Sequence, residues 1–291
     1  MNEIIQKATS MIEALPFIQR FRGETVVVKF GGSLMEDERA CRGILQDVAF
    51  MEVVGLRPVV VHGGGKAISK AMEERALQPV FVHGLRATDE TAIRVVEDVL
   101  NHQVNPRMVS IIASHGCRAQ GIYGQDVLTA VRHEVADPET GAPLDLGFVG
   151  DVESVDPDPM LQCLDRQTVP VVTPVGRGKD GHLYNINADR AAAAVACALQ
   201  ARKLVFLSDV PGLLRDPGDP ASLISHVVWS DMDDLIATGV IRGGMIPKIT
   251  SAVQTIQTGV NKVHIIDSSM PHSLLLELFT EEGVGTEIVR T

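Results

Sequence analysis

Between residues 2 and 21 the apolar positions Ile4, Ile5, Ala8, Met11, Ile12, Leu15 and Ile18 recur every three or four residues, which predicts an amphipathic helix interrupted or kinked at Pro16. The apolar runs that follow are of another kind. Residues 25–30 (TVVVKF), 57–61 (RPVVV), 169–175 (VPVVTPV), 203–208 (KLVFLS) and 262–267 (KVHIID) are short, rich in β-branched side chains and barely alternate. Strands covered on both faces read this way, because neither face calls for polar residues. Segments of helical period separate them, at residues 37–54, 67–76, 88–99, 189–199, 231–238, 248–258 and 272–280. Strand alternating with helix predicts an α/β fold, a doubly wound and mostly parallel sheet with helices on both faces. Residues 118–156 break the rhythm with short alternating pieces such as 119–123 and 127–132, which predict hairpins. Stretches rich in Pro, Gly and Asp at 156–159 and 176–181 are the candidate boundaries. No low-complexity linker separates the halves, so the expectation is one continuous fold of two lobes.

Composition narrows the classes. A chain of 291 residues, 45% hydrophobic and 22% charged, can bury a large core and does not have the make-up of a disordered polymer. Its 26 Gly and 15 Pro follow no visible period, which removes repeat and collagen-like readings. Lys and Arg number 26 against 37 Asp and Glu, a net charge of −11. Such a field repels polyanions, so it argues against nucleic acid as a partner and requires any phosphate site to be a local patch. Cys41, Cys117, Cys163 and Cys197 lie far apart with no CxxC pair, which fits reduced thiols and a cytoplasmic protein. The longest uncharged apolar run, 191–199, is far short of the roughly 18 residues that span a bilayer, so no membrane partner is expected. Glu3, Lys7 and Glu13 argue against a signal peptide.

In open α/β sheets ligands sit beyond the carboxyl ends of the strands, so the informative residues are those where the apolar runs stop. The first run stops at Lys29-Phe30-Gly31-Gly32-Ser33. A lysine at the end of a doubly covered strand suffers a large desolvation cost unless an anion meets it, and two glycines let backbone N–H groups approach that anion. A tight turn with a surface lysine is the bland alternative. The second stops at His62-Gly63-Gly64-Gly65-Lys66, ahead of a helix whose N-terminus favours a carboxylate or a phosphate. Val60 and Ala67 stand where a Walker A loop needs Gly and Ser or Thr. Ser208-Asp209-Val210-Pro211-Gly212 suits a nucleotide sugar or a metal, and equally an Asx-turn. Gly243-Gly244-Met245-Ile246-Pro247-Lys248 opens a helix and puts Lys248 where the helix dipole disfavours a cation, which points to a ligand. Asn185, Asn187, Ala188, Asp189 and Arg190 precede a small-residue helix, with Asp189 either a helix-start acid or a site acid.

Two decoys are removed by context. Gly176, Gly178 and Gly181 spell GxGxxG, but the alternating residues 182–187 follow instead of a helix, so a dinucleotide site is not expected. The nine His form no HExxH and no cluster with Cys, and no protein metal site is expected.

Taken in order, KFGGS, HGGGK, Gly84-Leu85-Arg86-Ala87-Thr88, NxNAD, SDVPG and GMIPK resemble the amino acid kinase superfamily and, within it, the acetylglutamate kinases, from about residue 25 to the C-terminus. The resemblance implies the amino acid kinase fold and transfer of the ATP γ-phosphoryl group, with Mg2+, to the side-chain carboxylate of N-acetyl-L-glutamate in arginine biosynthesis. It implies that Lys29 and Lys248 stabilise the transferring group and that Asp189 holds both. Gly64, Gly65, Arg86 and Asn185 become the substrate contacts. Gly31, Gly32, Ser208, Asp209, Val210, Gly212, Leu213, Leu214, Gly243, Gly244 and Met245 become the phosphoryl and nucleotide contacts. Residues 1–22 are then an oligomerisation helix, 23–178 a substrate-binding and dimerisation lobe, and 179–291 an ATP-binding lobe with a C-terminal effector segment.

The leading helix and the segments around 272–277 and 283–286 resemble the arginine-inhibited, hexameric branch, a trimer of dimers. That branch implies L-arginine as effector, with His272, Glu277 and Gly283 at its site, and leaves room for a signalling partner of the PII type. The chain departs from the family pattern at Phe17, where tyrosine is frequent, and at Tyr123 and Gln125, where serine and lysine are more usual. Gly64, Gly65 and Arg86 would serve any similar carboxylate. A sister kinase acting on another amino acid or on carrier-bound aminoadipate, and an inactive arginine sensor, are therefore the competing expectations.

Overall fold

The computed structural model describes residues 2–82, 84–136, 141–243 and 245–290. It opens with α1 (Asn2–Phe21), β1 (Thr25–Phe30), α2 (Glu38–Val53), β2 (Arg57–His62) and α3 (Gly65–Glu74). The hairpin β3 (Phe81–Val82) and β4 (Leu85–Arg86) leads to α4 (Glu90–Val99), which runs through a π-helical turn (Leu100–Val104) into α5 (Asn105–Ser114). There follow β5 (Arg118–Ile122), β6 (Leu128–Arg132), the small hairpin β7 (Val135–Ala136) and β8 (Pro143–Leu144), and β9 (Val149–Val155). Next come α6 (Asp158–Asp165), β10 (Thr168–Val172), β11 (Val175–Gly178) and β12 (Leu183–Ile186). The remainder is α7 (Ala188–Ala198), β13 (Lys203–Ser208), β14 (His226–Val228), α8 (Met232–Ala237), α9 (Met245–Gln257), β15 (Lys262–Asp267), α10 (Ser273–Phe279) and β16 (Thr286–Val289).

Eight strands in the order β14-β16-β15-β13-β1-β2-β10-β5 form one sheet, and every neighbouring pair is parallel except β15 with β16. The expected doubly wound sheet is therefore present, and its covered strands are those whose sequences fail to alternate. Along β1, Val26, Val28 and Phe30 enter one core with α2, α4, α5 and α10, whereas Val27 enters the other with α6, α7 and α9. A period of two puts Lys29 on the same face as Val27, over α7 and α9. That alternation decides which helices the lysine meets.

Several expectations change in detail. The run 169–175 is two strands, because Thr173 and Pro174 end β10 and β11 starts in a different sheet. Strands β11, β12, β9 and β6 close a small barrel. The expected hairpins are found within residues 128–155, but β5 instead pairs in parallel with β10 at the edge of the main sheet. Helices α5 and α6 lie in segments where no helix is expected. In α5 Asn105, Pro106 and Arg107 spoil the apolar period, and α6 covers 158–165, where a boundary is expected. Helix α1 runs unbroken through Pro16. The expected lobe boundary between residues 178 and 179 falls where β11 ends and the turn to β12 begins, and these two strands pair antiparallel. Among the described residues no helix is long and apolar enough to cross a membrane.

One interior group sits poorly in this packing. Asp47 of α2 is fully buried, receives the His272 Nδ1 contact at 2.6 Å, and leaves its other oxygen without a partner. Burial pushes its pKa up to about 6, against the opposing pull of His272. The folded chain thus holds this proton more tightly than the unfolded chain, so the associated stability is present below about pH 4 and lost as pH rises to about 6. Asp47→Asn is expected to flatten that loss and to gain on the order of 2 kcal/mol at neutral pH. Urea unfolding of both proteins at pH 4 and pH 7.5 measures it, and an equal pH dependence in the two would count against the assignment.

Candidate active site

The strand ends expected to carry chemistry converge. Lys29, near the end of β1, places its ammonium 2.9 Å from Asp189 Oδ1, and Lys248, in the first turns of α9, donates to Asp189 Oδ2 at 3.1 Å. All three side chains are less than a fifth exposed. The Lys29 approach is an ion pair off the hydrogen-bonding direction, so Oδ1 has no aligned donor. Burial would raise the Asp189 carboxyl, but the two ammonium groups outweigh it and hold it below the ordinary carboxylate range. Burial pulls Lys248 down and the field of Lys29 adds to it, with Asp189 and Asp209 opposing. Asp189 sits in the first turn of α7, where Asn187 caps the helix by accepting from the Asp189 and Arg190 N–H groups at 2.8 and 3.3 Å. Arg190 is held in turn by Asp151, whose other oxygen meets His133 Nδ1 at 2.5 Å. The start of α7 is therefore fixed to β9.

The first glycine loop packs against this cluster, and the second packs on the first. A Cβ on Gly31 would lie 3.0 Å from Lys29 Nζ, so any side chain there pushes the ammonium aside. Gly63 packs between Gly31 and Ala188, and a Cβ on Gly64 would strike Leu100 at 2.5 Å. Gly65 opens α3, and Gly32, Gly64 and Gly65 line a cavity of about 410 Å3 with Lys66 and Lys70. Arg86 is buried and stacks on Phe81 at 4.6 Å. It donates to Gly65 O at 2.7 Å and Ser69 Oγ at 2.8 Å. Asn185 Nδ2 donates to Thr88 Oγ1 at 3.3 Å, and that hydroxyl donates to Arg86 O at 2.7 Å. The four expected substrate residues thus form one connected wall, joined by Thr88, a buried hydroxyl that the sequence reading names only as part of a motif.

The expected nucleotide residues divide. Ser208 ends β13, the neighbouring Asp209 is exposed, and Val210 is half-buried. Gly212 and Leu213 are packing residues. A Cβ on Gly212 would meet Thr286 Oγ1 at 2.4 Å, the Leu213 N–H donates to that same hydroxyl at 2.8 Å, and the Leu213 side chain is in the core. Leu214 bridges to Leu223. Gly243, with a left-handed φ of 58°, and Met245 lead into α9, while Gly244 lies outside the described residues. No group of three or more His, Cys, Asp or Glu among the described residues could hold a metal ion.

A second cavity of about 630 Å3 opens between α1 and the β15–β16 edge, lined by Phe17, Arg20, Lys203, His264, Glu277 and Gly283 among others. Glu277 is buried and accepts the Val284 and Gly285 N–H groups at 2.7 and 3.0 Å. Its other oxygen meets His264 Nδ1 at 2.5 Å, and a Cβ on Gly283 would come within 2.9 Å of its carboxylate. Burial would raise the Glu277 carboxyl, yet His264 and the two N–H groups hold it low. His272 does not line this cavity. It belongs with Asp47 at the junction of α2 and α10, and the histidine beside Glu277 and Gly283 is His264. A polar residue in the middle of the otherwise apolar run 262–267 is the signal that marks it.

Comparison with known proteins shows the family. The profile of the amino acid kinase family matches residues 24–267, and the chain belongs to that family. Its relatives over full length are acetylglutamate kinases. That of Heliobacterium modesticaldum is 45% identical over 295 residues, 100% of both chains. That of Akkermansia muciniphila is 44% identical, over 100% of this chain and 98% of its own. Among solved structures, N-acetylglutamate synthase from Neisseria gonorrhoeae complexed with coenzyme A and N-acetyl-glutamate superposes with a TM-score of 0.83 at 26% identity, over 98% of this chain and 63% of that one. The same synthase complexed with coenzyme A and L-arginine gives 0.80 at 27% identity, over 98% and 65%. The chain thus spans somewhat under two thirds of the synthase.

Removing the shared carboxylate should expose the repulsion it offsets. Asp189→Asn is expected to destabilise the fold by about 3 kcal/mol at neutral pH and low salt, and tripolyphosphate should restore much of the loss by pairing with both ammonium groups. Thermal melts with and without tripolyphosphate test this, and a variant as stable as the parent would rule out the mutual dependence.

Proposed function

We propose that this chain transfers the γ-phosphoryl group of ATP to the side-chain carboxylate of N-acetyl-L-glutamate, giving N-acetylglutamyl 5-phosphate and ADP, the second step of arginine biosynthesis. The observation that carries the reading is the convergence of Lys29 and Lys248 on Asp189. A carboxylate nucleophile has an ordinary pKa near 4.3 and is ionised at neutral pH, so it needs no base. It needs its charge neutralised as it approaches a phosphoryl group whose oxygens gather negative charge, which two fixed ammonium groups supply. Gly31, Gly32, Gly64 and Gly65 add N–H groups without side-chain bulk. Arg86 and Asn185, joined through Thr88, shape the wall for the acyl amino acid, and Ser208, Asp209, Val210, Gly243 and Met245 are assigned to the nucleotide. Mg2+ would arrive on the nucleotide oxygens, since the described residues offer no cage for it. The full-length likeness to acetylglutamate kinases supports the choice of substrate.

The same reading extends to regulation. The cavity beside α1 has a buried carboxylate at Glu277 with Lys203 and Arg20 nearby, groups that match the amino and carboxylate ends of an amino acid. L-arginine is its proposed occupant, with Glu277, Gly283 and His264 in contact. Ile4, Ile5, Met11 and Ile12 remain more than half exposed on α1, which supports packing of this helix on another copy in a hexamer.

ADP release with N-acetylglutamate against glutamate, aspartate and carbamate tests the activity. Lys29→Ala and Lys248→Ala are each expected to lower kcat about 100-fold or more with smaller changes in KM. A raised KM at unchanged kcat would refute their role. In the same assay L-arginine should inhibit the parent and act weakly on Glu277→Ala, and a flat response to millimolar arginine would sink the effector reading.

A further inference from the structure

We infer that His62 and Asn105 form a buried positioning pair whose single proton arrangement fixes the Gly63–Gly64 peptide of the HGGGK loop for phosphoryl transfer; the inference rests on the kinase reading above. Neither side chain touches the cleft. His62 is 0% exposed and Asn105 2%, and both are held by groups whose hydrogen-bonding sense allows one solution.

The chain of assignments starts at a carbonyl. Asn105 Nδ2 lies 2.8 Å from Val171 O in β10, and a carbonyl only accepts, so the nitrogen end of this amide faces the sheet. The same Nδ2 lies 3.2 Å from His62 Nε2, and its second hydrogen makes Nε2 an acceptor without a proton. The imidazole proton is then on Nδ1, which donates to Gly63 O at 2.8 Å. Burial brings the His62 pKa down to about 4, so the ring stays neutral wherever the enzyme works. Among the described residues there is no cis peptide, and in a trans peptide the carbonyl and the following N–H point to opposite sides. Tying Gly63 O to the buried imidazole therefore aims the Gly64 N–H away from the core.

That peptide is placed where a small rotation matters. Gly63 donates its own N–H to Phe30 O at 2.7 Å, and a Cβ built on it would lie within 4 Å of Gly31 and Ala188, the neighbours of the segments that carry Lys29 and Asp189. The fold also makes room for Asn105. A Cβ on Gly121 would fall 2.1 Å from its Oδ1, and the π-helical turn Leu100–Val104 immediately precedes it, a feature frequent at functional positions.

Asn105→Asp keeps the shape and replaces the donor by an acceptor. It should draw the imidazole proton to Nε2 and leave the Nδ1 lone pair against Gly63 O. In the full chain, 15N spectra of histidine-labelled protein are expected to show His62 protonated at Nδ1 and bare at Nε2 from pH 5 to 8, and the variant should reverse this. Its kcat for ADP release with N-acetylglutamate should fall about 100-fold with KM for both substrates nearly unchanged, as expected when reacting groups are misplaced rather than lost. An Nε2–H ring or an imidazolium in the parent overturns the inference without any variant having to fold. Retained kcat in a folded variant whose proton has moved overturns the positioning role and leaves the kinase reading intact, whereas a parent without turnover overturns both.

Discussion

Two ammonium groups and one carboxylate, taken out of water together at the end of the central strands, set the constraints on everything around them. Lys29 comes from the middle of the sheet, Asp189 from the start of α7 and Lys248 from the start of α9, so the triad forms only when three separated parts of the chain are in register. One carboxylate facing two cations leaves a surplus positive charge in a poorly solvated place. An anion is the natural complement of such a site, and glycines on two sides admit one. The local electrostatics thus runs opposite to the net charge of −11, which is how an acidic protein can receive polyanionic small molecules while repelling longer ones.

Much of this was legible in the sequence because it lies where apolar runs stop. Lys29, Gly31, Gly64, Asp189 and Lys248 each interrupt a local pattern in a way that carries a cost without a ligand, and the structure brings Lys29, Gly31, Asp189 and Lys248 together. What escaped were residues whose meaning is tertiary. Nothing near Asn105 in sequence says that it reaches His62 and β10, and α5 itself is hidden by its polar first turn. His264 stands 13 residues from Glu277 on a different element, so only folding pairs them, while His272 has the more conspicuous place at a helix start. The run at 169–175 shows the limit of hydrophobicity as a guide. Its composition is uniform, but Pro174 has no N–H to continue the ladder, and the chain leaves the sheet there.

The glycines repeat the point at a finer scale. Gly212 and Gly31 look alike in sequence, each just beyond a strand, yet Gly212 is required because Thr286 presses against it and Gly31 because the Lys29 ammonium does. One is a packing constraint and the other guards a charge. Only the identity of the neighbouring atom separates the two cases.

The sheet itself limits how the halves can move. Strands β1 and β13 come from opposite halves and hydrogen-bond side by side at the centre, so the molecule has no free seam along which to swing open like a book. A rigid-body approach of the half that carries Lys248 toward the glycine loops must come from torsion of this shared plate, a stiff mode in which small angles at the middle become larger displacements at the rims. Helix α10, packed on β15 and on α2 with α1 against it, lies across the middle of that plate and resists the same torsion.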